Sequence, residues 1–193
     1  MEILDGDHRK WFSGQPMPKK LAGHCAIRDW DAIYVIGTPE SSKSGDLEIF
    51  LFNITTTTWK ILPSSASNSN GGNKNGPKAR RDFACSLSPD RSQIFVSGGK
   101  MNSGTSINDF FAYYLQSETW WQLASSLQPR SGHVMTIYQN FTTIIGGVNA
   151  ANDSLGSMES FVNGSWQKLN ETLTKRKNFR VTQVPSNFFP QNK

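Results

Sequence analysis

Hydrophobic residues recur along this chain in short runs, each closed by glycine, proline or polar residues. The run Ala32–Ile36 is rich in β-branched residues and ends at Gly37, which is typical of a short strand. Asn163-Gly164 is a strong signal for a two-residue hairpin turn. The 16 glycines and 9 prolines suit many turns, and only 18% of the residues are charged. The pattern therefore predicts an all-β chain.

The runs repeat as a unit of four strands closed by a tryptophan. Trp11, Trp59, Trp120 and Trp166 stand at successive spacings of 48, 61 and 46 residues. The longest spacing contains the Ser-, Gly- and Asn-rich segment 64–77, which we expect to be a surface loop between units. A period near 45 to 50 residues with four short strands is typical of the blades of a β-propeller.

The repeat divides one predicted domain, 1–193, into blades. Residues 1–19 would hold the closing strand of a blade, 20–63 a first blade, 78–127 a second, 128–172 a third, and 173–193 the opening of a further blade. Two arrangements are open: a four-bladed ring joined by both termini, or the carboxy-terminal part of a larger propeller. We expect the second, because three blades and a shared fourth would curve very tightly.

The units resemble the kelch repeat, whose pattern is an apolar strand, a glycine pair, an aromatic residue and a spaced tryptophan. The best match has Gly98-Gly99, Tyr113 and Trp120. The next unit has Gly146-Gly147, Phe161 and Trp166, whereas the first has Gly37-Thr38 in place of the pair. The resemblance implies four antiparallel strands per blade in an incomplete or four-bladed propeller.

Three arginines recur ahead of predicted inner strands, at Arg81, Arg130 and Arg176, with Leu21 in the first blade. There a guanidinium group can donate hydrogen bonds to carbonyls left free at strand ends. We interpret these arginines, the glycine pairs and the aromatic residues as architectural.

The net charge of +5 and pI near 9.3 raise the question of nucleic-acid binding. The charges are scattered apart from Lys78–Arg81 and Lys175–Lys177, and neither cluster has interleaved aromatic residues. We therefore expect no nucleic-acid partner. No apolar run approaches the roughly 20 residues that a membrane-spanning helix needs, so we expect no membrane insertion either.

Candidate catalytic chemistry is sparse. His24 and His133 occupy matching positions in the repeat, in inner strands taken to be adjacent, and no third metal ligand is evident. Cys25 and Cys85 also hold equivalent positions, in inner strands of neighbouring blades. Such strands would hold their Cα atoms beyond the roughly 7 Å limit for a disulfide. We therefore expect two free, buried thiols. The prediction is a protein that is not an enzyme, with no catalytic residue, cofactor or metal.

Five sites match the acceptor pattern for N-glycosylation, and most fall in predicted turns. Because the chain is rich in serine and threonine, roughly three such matches would arise by chance. A secreted and a cytoplasmic location both remain open. The candidate asparagines are Asn53, Asn140, Asn152, Asn163 and Asn170.

We expect a protein-interaction scaffold, because propellers present loops on a rigid frame and loops carry recognition. The candidate loops are Thr38–Gly45, Lys100–Asn108 and Val148–Gly156, with Glu40, Lys43, Lys100 and Met101 as candidate partner-binding residues. The alternatives are a carbohydrate-binding or oxidase-like extracellular propeller, and an adaptor for a ubiquitin ligase. The partner would be a protein, the remaining blades of a larger propeller, or a second copy of the chain.

Overall fold

The architecture comes from a computed structural model, which describes residues 1–41, 45–63, 76–169 and 174–182; of Asp5 only the backbone is described. These residues form fifteen β-strands and no helix. Consequently none of them forms a helix long and apolar enough to cross a bilayer. The all-β prediction is confirmed.

Blade 1 contains β3 (Leu21–Asp29), β4 (Ala32–Pro39), β5 (Glu48–Asn53) and β6 (Thr58–Leu62). The four strands pair antiparallel in chain order. The inner strand β3 is exposed on one face and half-buried on the other, where Cys25 and Ile27 pack against the core, whereas β4 and β5 are largely buried.

Blade 2 has its inner strand in two pieces, β7 (Arg80–Arg81) and β8 (Ala84–Leu87), and both pair with β9 (Gln93–Met101). The sheet continues through β10 (Ser106–Tyr114) to β11 (Thr119–Leu123). The pairing of β9 with β10 is irregular between Ile107 and Phe110.

Blade 3 contains β12 (Val134–Tyr138), β13 (Phe141–Ile145), β14 (Met158–Val162) and β15 (Ser165–Leu169), again in chain order. The predicted Asn163-Gly164 hairpin is confirmed, since both residues have positive φ, 49° and 81°.

The segments at both ends of the chain differ from the sequence expectation. The chain begins with two paired strands, β1 (Glu2–Asp5) and β2 (Lys10–Ser13), where only the second was expected. Residues 173–193 were expected to open a further blade; residues 174–182 carry no strand, and the rest lies outside the described residues. Segment 64–75 of the expected surface loop also lies outside them. The domain boundaries stay a prediction.

The aromatic residue and the tryptophan of each unit face each other across the two outer strands of a blade. Phe52 pairs with Trp59, Tyr113 with Trp120 and Phe161 with Trp166. Their ring centroids are 5.0, 5.0 and 5.4 Å apart. The sequence spacing shrinks from seven to five in blade 3 because a two-residue turn replaces the four-residue turns of the other blades. The pairs of blades 2 and 3 contribute to the apolar packing against the preceding blade.

The glycine pairs make room for the next blade. In blade 2, a Cβ atom on Gly98 would lie 2.6 Å from the Arg130 carbonyl oxygen, and the Gly99 N–H donates to that oxygen at 2.9 Å. In blade 3, Gly147 donates to the Arg176 carbonyl at 2.7 Å. Any side chain at Gly98 would therefore block the contact between blades.

Blade 1 makes the corresponding contact with a side chain, because Thr38 stands where the second glycine would be. The Thr38 hydroxyl accepts from the Arg80 N–H at 3.1 Å and donates to the Arg80 carbonyl at 3.2 Å. Blade 1 therefore keeps its link to blade 2, although Thr38 replaces the second glycine of the pair.

Candidate interaction face and channel wall

The two ends of each blade carry different kinds of connection. At one end, here called the turn end, tight turns join the first strand to the second and the third to the fourth. At the other, the loop end, lie the connections between the second and third strands and between blades. The described parts of the three predicted loops lie at the loop end, as the antiparallel order requires.

The predicted loop Lys100–Asn108 is shorter than expected. Strand β9 extends through Met101 and β10 begins at Ser106, so the two strands are joined by residues 102–105 alone. Lys100 and Met101 are half-buried strand residues that pair with Arg81 and Arg80. Their placement in a loop was wrong, because the strand continues beyond the glycine pair.

A groove of about 490 Å³ lies at the loop end between blades 1 and 2. Glu40 and Arg81 are exposed in this blade 1–2 groove and bring opposite charges to it. Of the four predicted partner-binding residues, only Glu40 lines the groove, and Lys43 lies outside the described residues. The lining residues are Ala22, Thr38, Pro39, Glu40, Arg80, Arg81 and Asn102.

An ion pair between buried Arg80 and half-buried Asp109 supports the groove. Arg80 is 3% exposed, and its guanidinium forks onto Asp109, with Nη2 2.9 Å from Oδ2. Its Nε donates to the Lys78 carbonyl at 2.8 Å and its Nη1 to the Gly98 carbonyl at 3.2 Å. Arg80, and not Arg81, is therefore the architectural arginine of blade 2, so the sequence alignment was wrong by one residue.

Blade 3 has the same kind of ion pair in a fully buried form. Arg130 pairs with Glu159, and the two residues are 0% and 1% exposed. Arg130 also donates to the Gly146 carbonyl at 2.9 Å, as expected for a guanidinium at a strand end. Burial lowers the pKa of Arg130, although the Glu159 carboxylate opposes this shift. Glu159 also accepts from the Leu127 N–H at 2.8 Å, which ties the loop between blades 2 and 3 to β14.

The third arginine of the predicted set does not repeat this arrangement within the described residues. Arg176 is exposed, and its backbone carbonyl is what contacts Gly147. Blade 1 has the exposed pair Lys19–Glu48 at 2.7 Å instead. Neither carboxylate partner, Asp109 or Glu159, was predicted from the sequence.

The inner strands of blades 1 and 2 are joined by a disulfide between Cys25 and Cys85, whose Cα atoms are 6.1 Å apart. The expected free thiols are therefore wrong. Cys25 pairs with Ile36, just before Gly37, whereas Ala84 pairs with Ser97, just before Gly98. Ala84 is thus the equivalent of Cys25, and Cys85 is one residue further along. Because neighbouring strand residues point to opposite faces, this offset turns the two sulfur atoms toward each other.

A cavity of about 370 Å³ lies along the inner strands of the three blades, and the disulfide forms part of its wall. His24 and His133 also line it, and they do hold matching positions. They belong to blades 1 and 3, with Phe83 at the same position of blade 2, so they are not in adjacent strands. No three His, Cys, Asp or Glu side chains of the described residues are grouped as metal ligands.

His133 is buried beside Gly98 and Arg130, and its exposed fraction is 5%. Neither ring nitrogen meets a hydrogen-bond partner within the described part of the chain. Burial, with a smaller effect of the Arg130 charge, lowers the pKa of His133 to about 3. The imidazole is therefore neutral at physiological pH and behaves as part of the interblade packing.

The candidate glycosylation sites lie at the positions expected for turns. Asn140, Asn152 and Asn163 are exposed and have positive φ. Asn53 is half-buried at the end of β5, and its side-chain oxygen accepts from the Thr56 N–H at 2.7 Å. Asn170 lies outside the described residues, and glycosylation itself stays a prediction.

Repeated four-stranded antiparallel blades, linked through glycines, define the chain as a β-propeller protein. The solved structure of YjhT has this fold: it superposes with a TM-score of 0.65 at 14% identity, covering 83% of this chain and 54% of that one. The family model described as the KLHDC2/KLHL20/DRC7 Kelch-repeats domain matches residues 10–184. The chain therefore belongs to the kelch-repeat family.

Curated relatives share this similarity over part of their length. A Kelch domain-containing protein of Sulfurisphaera tokodaii is 26% identical over 63% of this chain and 16% of its own length. Kelch-like protein 41a of Danio rerio is 30% identical over 47% of this chain and 15% of its own. An N-(sulfonatooxy)prop-2-enimidothioate sulfolyase of Thlaspi arvense is 28% identical over 80% and 44%. The chain thus spans less than half of each of these relatives.

Proposed function

We propose that the chain is a non-catalytic interaction scaffold, and that a protein partner binds at the loop end across the blade 1–2 groove. The observation that carries this proposal is that exposed, oppositely charged Glu40 and Arg81 line one groove beside the largely buried Arg80–Asp109 pair. The buried pair holds the strand ends in one geometry, so the exposed charges are presented on a rigid floor. Such preorganisation reduces the entropy cost of binding.

Membership of the kelch-repeat family supports a role in protein interaction. A scaffold needs no further chemistry at this groove, since opposite charges on a surface mainly select partners and raise association rates. The sulfolyase among the relatives is under 30% identical and extends beyond this chain, so its activity carries little weight here.

The test is a charge swap that leaves the net charge of +5 unchanged. Glu40→Lys combined with Arg81→Glu reverses both groove charges, whereas Glu2→Lys combined with Lys10→Glu makes the same swap on the exposed β1–β2 hairpin. Partners captured by the unmodified protein are identified by mass spectrometry, and their affinities for both variants are measured by biolayer interferometry.

We expect the groove swap to weaken binding at least about tenfold and the hairpin swap to leave it unchanged. Equal binding by the unmodified protein and the groove swap would refute the proposed site. Turnover of a substrate by the purified chain would refute the non-catalytic role.

A further inference from the structure

The turn end of blade 1 carries a tryptophan that is mostly exposed. Trp30 lies in the turn between β3 and β4, is 80% exposed and has a φ of 44°. A bulky residue in the left-handed region is an outlier, and glycine or asparagine would fit such a turn at lower cost. Strained backbone of this kind is characteristic of functional sites.

An arginine from blade 2 holds the indole in place. The Arg91 guanidinium carbon lies 5.2 Å from the centroid of the Trp30 ring, and the Arg91 backbone also has positive φ, 61°. Its Nε donates to Asp29 at 2.7 Å, and the Asp29 side chain is 15% exposed. The aspartate orients the arginine over the ring, and cation–π contact favours that position. The indole face opposite Arg91 is therefore presented in a defined orientation.

These residues line an open groove of about 560 Å³, here called the turn-end groove. Its lining consists of Arg28, Trp30, Asp31, Ile54 and Arg91. Ile54 is half-buried and extends the apolar surface of Trp30. The groove thus combines an apolar floor with two guanidinium groups.

Of the charged side chains in the groove, only Arg28 lacks a partner among the described residues, while Asp31 keeps its negative charge. The Asp31 carboxylate is occupied by Thr55, accepting from its N–H at 2.9 Å and from its hydroxyl at 2.6 Å. The Asp29 carboxylate is occupied by Arg91. The exposed Arg28 guanidinium makes no ion pair or hydrogen bond with the described residues, so its donors are free for a ligand.

We propose that the turn-end groove is a docking site for an acidic peptide segment of a partner protein. An apolar side chain of the peptide packs on Trp30 and Ile54, and flanking carboxylates pair with Arg28 and with the unused part of the Arg91 guanidinium. Tryptophan and arginine are the residues most enriched among the strong contributors to protein interfaces. This site lies at the opposite end of the blades from the blade 1–2 groove, so the two proposals can be tested independently.

A single-stranded nucleic acid fits the groove less well. Such strands bind along electropositive channels with several stacking rings. The turn-end groove offers one exposed ring, and the carboxylates of Asp29, Asp31 and Asp90 share its surroundings. A strand that carries a phosphate at every nucleotide could not keep its charges away from these carboxylates, whereas a peptide can place a few carboxylates beside Arg28 alone.

The experiment uses fluorescence anisotropy with a labelled peptide in which glutamate and leucine alternate. Trp30→Asn removes the ring and keeps the left-handed turn, since asparagine tolerates positive φ. Arg28→Glu reverses the free charge without removing an internal contact. Trp121→Ala is the matched control, because Trp121 is 41% exposed on β11, away from the groove.

We expect the Trp30 and Arg28 variants each to weaken peptide binding at least about tenfold, and the Trp121 variant to leave it unchanged. Binding of the unmodified protein should weaken with added salt. The Trp30→Asn variant should fold at least as stably as the unmodified protein. If it does not, the peptide affinity of the Arg28→Glu variant alone tests the proposal.

Three results would overturn the proposal: no binding of the peptide, equal binding of a peptide with lysine in place of glutamate, or equal binding by the Arg28 variant. Binding of an oligothymidine strand that depends on Trp30, without binding of the acidic peptide, would assign the groove to nucleic acid instead.

Discussion

Removing the Cys25–Cys85 disulfide should lower the stability of the chain substantially. The bond closes a loop across a sequence separation of 60 residues. In the chain-entropy treatment, releasing a loop of that length returns about 14 cal/mol/K to the unfolded chain, which corresponds to about 4 kcal/mol at 25 °C. For a domain of this size that is a fall in Tm of about 8 to 16 °C.

The assay is urea unfolding with and without reductant. The double variant Cys25→Ser with Cys85→Ser should match the reduced unmodified protein and should not respond to reductant. Because the bond acts largely on the unfolded chain, its loss should also raise the denaturant m-value, as a less compact unfolded state exposes more surface.

Thiol titration of denatured, unreduced protein checks the bond directly. We expect no reactive thiol before reduction and two after it, since the chain has two cysteines. Two thiols before reduction would refute the disulfide. No thiols before reduction, together with equal unfolding midpoints in the two conditions, would refute the loop-closure argument while leaving the bond intact.

Two further perturbations test the contacts between blades. The pKa of His133 is about 3 in the folded chain, against roughly 6.5 in the unfolded chain. Because the unfolded chain binds the proton more readily, the free energy of unfolding should fall as the pH is lowered from 6.5 toward 3, by about 1.5 kcal/mol between pH 6.5 and 5. His133→Phe, which copies Phe83 of blade 2, should remove that loss in urea unfolding at the two pH values. Gly98→Ala should lower the free energy of unfolding by more than about 3 kcal/mol. Gly104→Ala should lower it by about 1 to 2 kcal/mol, because φ is also positive there but nothing lies within 4 Å of an added Cβ atom. Equal costs would contradict the clash with Arg130.

The strand pattern and the facing aromatic pairs could be predicted because both follow from local chemistry. A β-branched run ending in glycine predicts a strand and its end, and Asn163-Gly164 predicts a turn in which both residues have positive φ. The spacing of seven or five residues between an aromatic and its tryptophan then follows from turn length alone. These features need no knowledge of the neighbouring blades.

The contacts between blades were missed because they depend on register. An offset of one residue reverses the direction of a side chain on a strand. Aligning Arg81 with Arg130 hid Arg80, and treating Cys25 as the equivalent of Cys85 excluded a bond that the structure contains. Residue type alone does not distinguish these alignments.

One signal in the sequence could have corrected the arginine alignment. The cation and the carboxylate of each architectural pair are separated by 29 residues: Lys19 with Glu48, Arg80 with Asp109, and Arg130 with Glu159. Starting from Arg81 instead gives Phe110, which is fully buried and cannot pair with a charge. A constant separation of opposite charges is therefore a more reliable guide to register in this chain than the arginines alone.

The same three pairs stabilise the loop end of the blades. At the loop end they fix the strand ends, and the pair becomes more buried along the chain, from the exposed Lys19 to the fully buried Arg130. Blade 1 therefore has the least rigid anchor, and its junction with blade 2 carries the blade 1–2 groove, the disulfide and the turn-end groove. The disulfide between Cys25 and Cys85 covalently links the inner strands of these two blades, which carry both proposed sites. Loss of the disulfide should thus weaken binding at both grooves, whereas breaking the Arg130–Glu159 pair should affect stability first.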